Sequence, residues 1–127
     1  MTVTIGDRKE IMMGAPLCHF EFMTDNPDKC KAFYTKVLGW EFADCGMPGY
    51  TMIKTGQAPE GGMMQRPPQA PHAAMNIYFM VEDIGATLGK VEKTGGRVIV
   101  PKTPIPNVGS FAMFADPEGI VVGIFQS

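Results

Sequence analysis

The chain repeats itself. Asn26 and Asp83 lie 57 residues apart, and so do Gly39 and Gly96, Phe20 and Ile77, and Phe22 and Phe79. Each of these pairs does the same job in its half: an apolar strand residue, a helix cap, a helix stop. A duplicated supersecondary unit restricts the fold more than any single motif, because the same packing problem must be solved twice. In each half the pattern reads strand, helix, then three shorter strands. The later strands fall near "WEFADC", "YTMIKT" and "GGMMQR" in the first half, and near "RVIVP", "SFAMFA" and "GIVVGIF" in the second. The turn-rich stretches "GMPG", "GQAPEGG", "TPIPN" and "DPEG" separate them. "QRPPQAPH" links the halves, since its prolines exclude a central strand.

The helices are marked by their ends. In "NPDKCKAFYTKVLG", Asn26 suits the N-cap, Pro27 the first helical position and Gly39 the C-terminal stop. Cys30, Phe33, Tyr34, Val37 and Leu38 then form an i, i+3, i+4, i+7, i+8 stripe expected to face a core. In "EDIGATLGKVEKTGG", Asp83 is the cap, Ile84, Leu88 and Val91 form the stripe, and Gly95-Gly96 ends it. Gly85 and Gly89 each weaken this helix by about 1 kcal/mol relative to alanine.

The predicted fold class is α+β. Two βαβββ modules, about residues 17–66 and 74–126, form one domain over 15–127, preceded by an extension of residues 1–14. Each module makes a four-stranded mixed sheet. Its helix covers the face bearing Phe20 and Phe22, or Ile77, Phe79 and Val81, and the other faces form a concave cup. Alternation along a strand then points His19, Glu21 and Met23 into the cup from one half, and Asn76, Tyr78 and Met80 from the other. An apolar cleft with a few convergent polar groups is the usual form of a small-molecule site. His19 and Glu21, two apart in "LCHFEF", fit half of a metal site, a hydrogen-bonded pair in a pocket, or polar residues facing water.

Composition removes other classes. One hundred and twenty-seven residues with 45% hydrophobic and 19% charged residues suit one globular domain. A net charge of −2 without a basic cluster argues against nucleic acid. "MTVTIGDRKE" has no apolar signal-peptide core, and "IVVGIF" is far too short to span a bilayer. Three cysteines without C-x-x-C spacing fit reduced thiols in a cytoplasm. Eleven methionines, Met64 among them, suit an adaptable cavity or core filling. Trp40 and Tyr50, after the first helix, are candidates to wall a pocket mouth and equally to pack in the core or at a dimer contact.

The stretches "LCHFEF", "NPDKCKAFYTKVLGWEF", "MNIYFMVEDI" and "FADPEGIVVGIF" resemble the vicinal oxygen chelate superfamily, the group of glyoxalase I, bleomycin-resistance proteins and extradiol dioxygenases. The "HFEF" opening is similar to its small glyoxalase-like branch. The resemblance covers about Leu17 to Gln126 and implies the fold above, with homodimers common. Metal enzymes of the group place ligands on the first and last strands of each repeat. Carried over, these positions fall on His19, which matches; on Asn76, a poor transition-metal ligand; on Gly123, which has no donor; and near Met63–Arg66, where only Gln65 is conceivable. Glu21 adds at most an improvised oxygen. The expectation is a small-molecule-binding protein with no metal or other cofactor, its ligand held by His19, Glu21, Asn76, Tyr78, Trp40 and Met64. The alternative is a metal-dependent lyase, isomerase or dioxygenase acting on a small oxygenated substrate, with His19, Gln65 and Glu21 as weak ligand candidates. A dimer that sequesters a drug without chemistry is a third class.

Overall fold

The computed structural model describes the backbone of residues 2–5 and 9–12, and residues 14–127 with their side chains. Within the N-terminal extension, β1 (Thr2–Ile5) pairs antiparallel with β2 (Lys9–Met12), Val3 opposite Ile11. Met1, residues 6–8 and Met13 lie outside the described residues. The remaining elements are β3 (Leu17–Thr24), α1 (Pro27–Leu38), β4 (Glu41–Asp44), β5 (Tyr50–Lys54), β6 (Gly61–Gln65), β7 (Ala74–Met80), α2 (Ile84–Lys93), β8 (Arg97–Ile105), β9 (Gly109–Ala115) and β10 (Val121–Gln126). The chain divides into two compact units, residues 19–77, and residues 78–127 with those up to 18.

In the first unit the strand order is β4-β5-β6-β3, with β3 and β6 parallel and the other pairs antiparallel, a mixed sheet as predicted. Helix α1 begins and ends at the predicted residues. The Asn26 side chain accepts from Lys29 N at 3.1 Å, and Gly39 closes the helix at φ 69°, where a side chain would be strained. The apolar stripe is not the predicted one. Phe33, Val37 and Leu38 are 56%, 57% and 53% exposed, while Pro27, Cys30, Lys31 and Tyr34 are half-buried. Those four are themselves an i, i+3, i+4, i+7 set that shares Cys30 and Tyr34 with the expected stripe, so the helix is turned by about 40° from the expected seat. Tyr34 turns it: its ring packs 5.2 Å from Phe22 and 5.0 Å from Trp40, whose ring also lies 5.8 Å from both Phe20 and Phe22. Ile53 and Met63 are fully buried beneath this face. The start of the linker is held within the same unit. The Arg66 guanidinium donates to Asp25 at 2.7 Å and to the Ala70 carbonyl at 2.6 Å.

In the second unit the order is β7-β10-β9-β8, with β7 and β10 parallel and the rest antiparallel. Asp83 caps α2 by accepting from Ala86 N at 3.1 Å, and Gln126 Oε1 takes the Ile84 N–H at 2.8 Å. Ile84, Ala112 and Ile124 form the buried core, with Val81, Leu88 and Phe114 against it. In "DPEG", Asp116 Oδ1 accepts from both Glu118 N and Ile120 N at 2.9 Å, an Asx-type turn into β10. One strand exceeds its predicted length: β8 runs through Pro101 and Pro104 to Ile105. It is a sheet edge, and its pairing slips between Val98 and Val100 and again between Val100 and Thr103. Edges and bulges are where prolines are tolerated in a sheet. The turn narrows to Pro106–Val108, with Asn107 at φ 64°. The repeat offset widens as a result. Glu21 pairs with Gly62, whereas Tyr78, 57 residues beyond Glu21, pairs with Gly123, 61 beyond Gly62.

Candidate ligand site

The face of the first unit's sheet opposite α1 is set by register. Glu21 lies beside Gly62 and Met23 beside Met64, while Met52 faces Gly62 and Tyr50 faces Met64. Paired residues point the same way, so His19, Glu21, Tyr50 and Met64 share this face. The Tyr50 hydroxyl sits between the other two polar groups. It lies 2.8 Å from His19 Nε2 and donates to Glu21 Oε2 at 3.0 Å. The His19 and Tyr50 rings are near parallel, 21° apart with centroids 6.4 Å apart.

This arrangement depends on a glycine. A Cβ on Gly62 would collide with the Tyr50 hydroxyl and ring. On the other face Phe20 lies over Gly61 in the same way. A glycine inside a strand often marks such a close approach.

Burial pushes the His19 pKa below its ordinary value, because the charged ring is poorly solvated there. The Glu21 carboxylate and a backbone hydrogen bond to Glu60 act in the opposite sense without reversing it. The ring is therefore neutral at pH 7, able to accept a proton, with Glu21 near enough to stabilise the cation that would form.

Of the sequence candidates, His19, Glu21 and Met64 come together. Tyr50, expected as a pocket wall, a core residue or a dimer contact, is the residue that joins them. Trp40 does not join them: it belongs to the aromatic cluster with Phe20, Phe22 and Tyr34 beneath α1, because a ring that large is best covered on the helix side. Gln65 is also misplaced by the ligand reading. It alternates with Met64, so it points to the α1 face, where its Nε2 donates to the Asp25 carbonyl at 3.1 Å. Asn76 and Tyr78 share one face of β7. Tyr78 is 6% exposed, its ring edge-on to Phe111 at 6.3 Å and over Gly123. His72 is exposed in the linker.

The donor set does not fit the superfamily's divalent metal. The position matching Gly123 in the first unit is Gly62, so both last-strand positions lack a side chain, and tyrosine rings fill the space above them. Gln65 is on the wrong face, Asn76 is a poor ligand, and His19 Nε2 is engaged by Tyr50. Among the described residues no three His, Cys, Asp or Glu side chains converge on one point. No helix of the described residues is long and apolar enough to cross a membrane.

A cleft of about 760 Å³, open to solvent, lies in the same unit beside Pro27, Lys31, Phe42, Asp44, Tyr50, Met63 and Gln65. It presents no acid–base pair comparable to His19 and Glu21.

Comparison with known proteins agrees with this architecture. The sequence model of the Glyoxalase/Bleomycin resistance protein/Dioxygenase superfamily matches residues 17–124. Over 109 residues the chain is 35% identical to "Putative glyoxylase CFP32" of Mycobacterium tuberculosis, covering 84% of this chain and 42% of that protein. Over 111 residues it is 29% identical to "Anthracycline biosynthesis protein DnrV" of Streptomyces peucetius, covering 74% of this chain and 40% of that one. The chain thus spans less than half the length of these curated relatives. The crystal structure of methylmalonyl-CoA epimerase from Mycobacterium tuberculosis shares the fold, with a TM-score of 0.67 at 13% identity, covering 87% of each chain. With two βαβββ modules of the glyoxalase-like α+β fold and a family match from Leu17 to Ile124, the chain belongs to the glyoxalase/bleomycin resistance protein/dioxygenase superfamily.

Proposed function

We propose that the chain binds a small organic molecule on the β3–β6 face, with His19, Tyr50 and Glu21 as polar anchors, Met64 as an apolar wall, and no divalent metal. The observation that carries this reading is the Tyr50 hydroxyl held between His19 Nε2 at 2.8 Å and Glu21 Oε2 at 3.0 Å. That chain of groups is half-buried and joins an uncharged base to a carboxylate, which suits a ligand presenting hydrogen-bond donors or an acidic hydrogen. The relatives' names, a glyoxylase and an anthracycline biosynthesis protein, support small-molecule chemistry. Asn76 belongs to the proposal as a further anchor, and Tyr78, 6% exposed in the other unit, does not. A cytoplasmic location and self-association, common in the superfamily, belong to it too; light scattering on the full chain tests the latter.

The test is a thermal-shift screen of small oxygenated and aromatic compounds, with hits titrated by calorimetry against wild type, His19→Ala and Glu21→Ala. Loss of at least tenfold in affinity in both variants supports the site. Hits that bind the variants as tightly as wild type overturn it.

A further inference from the structure

We infer that the cleft beside Pro27 and Lys31 is a second binding site, taking a small monocarboxylate with an apolar body and holding its carboxylate on the Lys31 ammonium. The inference goes beyond the site on the His19 face. Of the residues proposed there, only Tyr50 also lines this cleft.

The repeat explains why the cleft is open. At the 57-residue offset Pro27 matches Ile84, and Lys31 matches Leu88. In the second unit these two positions close the helix onto its sheet. Ile84 is fully buried at the start of α2, and Leu88, one turn on, packs against the same core. In the first unit a proline ring and a charged side chain stand there, and α1 has no fully buried residue. Gln65 extends the comparison. Met63 pairs with Phe22 as Ile124 pairs with Phe79, so two residues on, Gln65 corresponds to Gln126. Gln126 Oε1 ties the sheet to the helix start by accepting the Ile84 N–H at 2.8 Å. Pro27 has no N–H to offer, and Gln65 Nε2 donates to the Asp25 carbonyl instead. The apolar plug and the hydrogen bond that close the second unit are thus both missing from the first. What opens beside Pro27 and Lys31 is about 760 Å³, within the range of small-molecule sites.

Charge sets the ligand class. Lys31 is half-buried and makes no hydrogen bond or ion pair among the described residues. Phe42, Met47, Pro48 and Met63 share the lining with it. A lysine stem lying along apolar surface presents its ammonium at the edge, where a carboxylate gains a charge-assisted hydrogen bond. The ligand's apolar body then covers surface that Ile84 and Leu88 cover in the second unit. Asp44 is the one carboxylate in the lining. Its Oδ1 accepts from Gly46 N at 3.0 Å, and it forms no ion pair with Lys31. It repels a second negative charge, which favours a monocarboxylate over a dicarboxylate or a phosphate.

The experiment is ¹³C-methyl methionine spectroscopy of the full chain, titrated with phenylacetate and with phenylacetamide as its neutral counterpart. Met47 and Met63 report on the cleft, and Met64, on the His19 face, reports on the other site. Phenylacetate should shift the Met47 and Met63 signals saturably, leave Met64 unmoved, and bind about five- to tenfold tighter than the amide, the scale of one partly exposed charged hydrogen bond. Lys31→Leu, which gives the first unit the residue type of Leu88, should fold and lose the preference for the acid. Lys31→Gln decides the matter if the leucine variant self-associates. Absence of saturable shifts at Met47 and Met63, equal affinity for acid and amide, or a preference that survives in both Lys31 variants overturns the inference. Shifts at Met64 alone overturn it as well, by placing the probe on the His19 face. Because the reporters and the substituted residue differ from those of the ligand screen, the two proposals fail separately.

Discussion

Replacing Tyr50 by phenylalanine removes one oxygen and two hydrogen bonds. The bond to Glu21 has an ionised acceptor, a class worth about 1.5–3 kcal/mol, and the bond to His19 is a neutral one worth about 1 kcal/mol. Both are only half-buried, so water replaces part of each, and a net loss of about 2 kcal/mol is expected. In a domain of this size that is a fall in Tm of roughly 6–10 °C. A double-mutant cycle with Glu21→Gln sharpens the test. The two residues share one bond, so the losses should be non-additive, with a coupling of about 1 kcal/mol or more. Urea unfolding of wild type, both single variants and the double variant measures all four corners. A Tyr50→Phe variant within about 0.5 kcal/mol of wild type, or additive losses, would refute the claim that the hydroxyl holds these groups together.

Three further outcomes follow from the structure. Ile84→Ala empties the center of the second unit's core and should cost about 2–5 kcal/mol by urea unfolding, whereas Val37→Ala on exposed α1 should stay within about 1 kcal/mol. Asn26→Ala removes the acceptor of the Lys29 N–H and should cost about 1 kcal/mol, with Asn26→Asp near neutral. His19 has a folded pKa below the 6.5 of the unfolded chain, so the unfolded state takes up the proton first. Stability should thus be flat above about pH 7 and decline as pH falls through 6.5 and below; His19→Gln should flatten the slope between pH 7.5 and 5.5, and an unchanged slope counts against the buried, neutral ring.

Local signals made the element plan readable from sequence. Asn26, Asp83 and Gly39 act within a few residues of themselves, and the structure uses each as its residue type suggests. The mixed four-strand order within each unit followed from the repeat. What could not be read was which side of each element faces what. The stripe on α1 was misjudged because Phe33 and Tyr34 are adjacent aromatics. Only the Phe22 and Trp40 rings decide which of them is seated. Gln65 was misjudged because a strand's facing depends on its partner's register. Pairing Glu21 with Gly62 sends Met64 to the His19 face and Gln65 to the other, and a one-residue slip would exchange them. Tyr50 was underrated for the same reason. The Gly61-Gly62 pair in a strand was the available hint that large rings approach closely from both sides. The hairpin of β1 and β2 was also missed, although "TVTI" is rich in β-branched residues.

The central claim is that the first unit's polar cluster is an organic acid–base site and not half of a metal centre. The measurement that tests it most directly is elemental analysis of tag-free protein, before and after incubation with nickel, zinc, iron and manganese followed by extensive dialysis. The account predicts well under one-tenth of a metal ion per chain in every case, since both last-strand positions are glycine and His19 Nε2 is taken by Tyr50. Retention of close to one ion per chain, lost in His19→Ala, would contradict it and return the chain to the metal-dependent members of its superfamily.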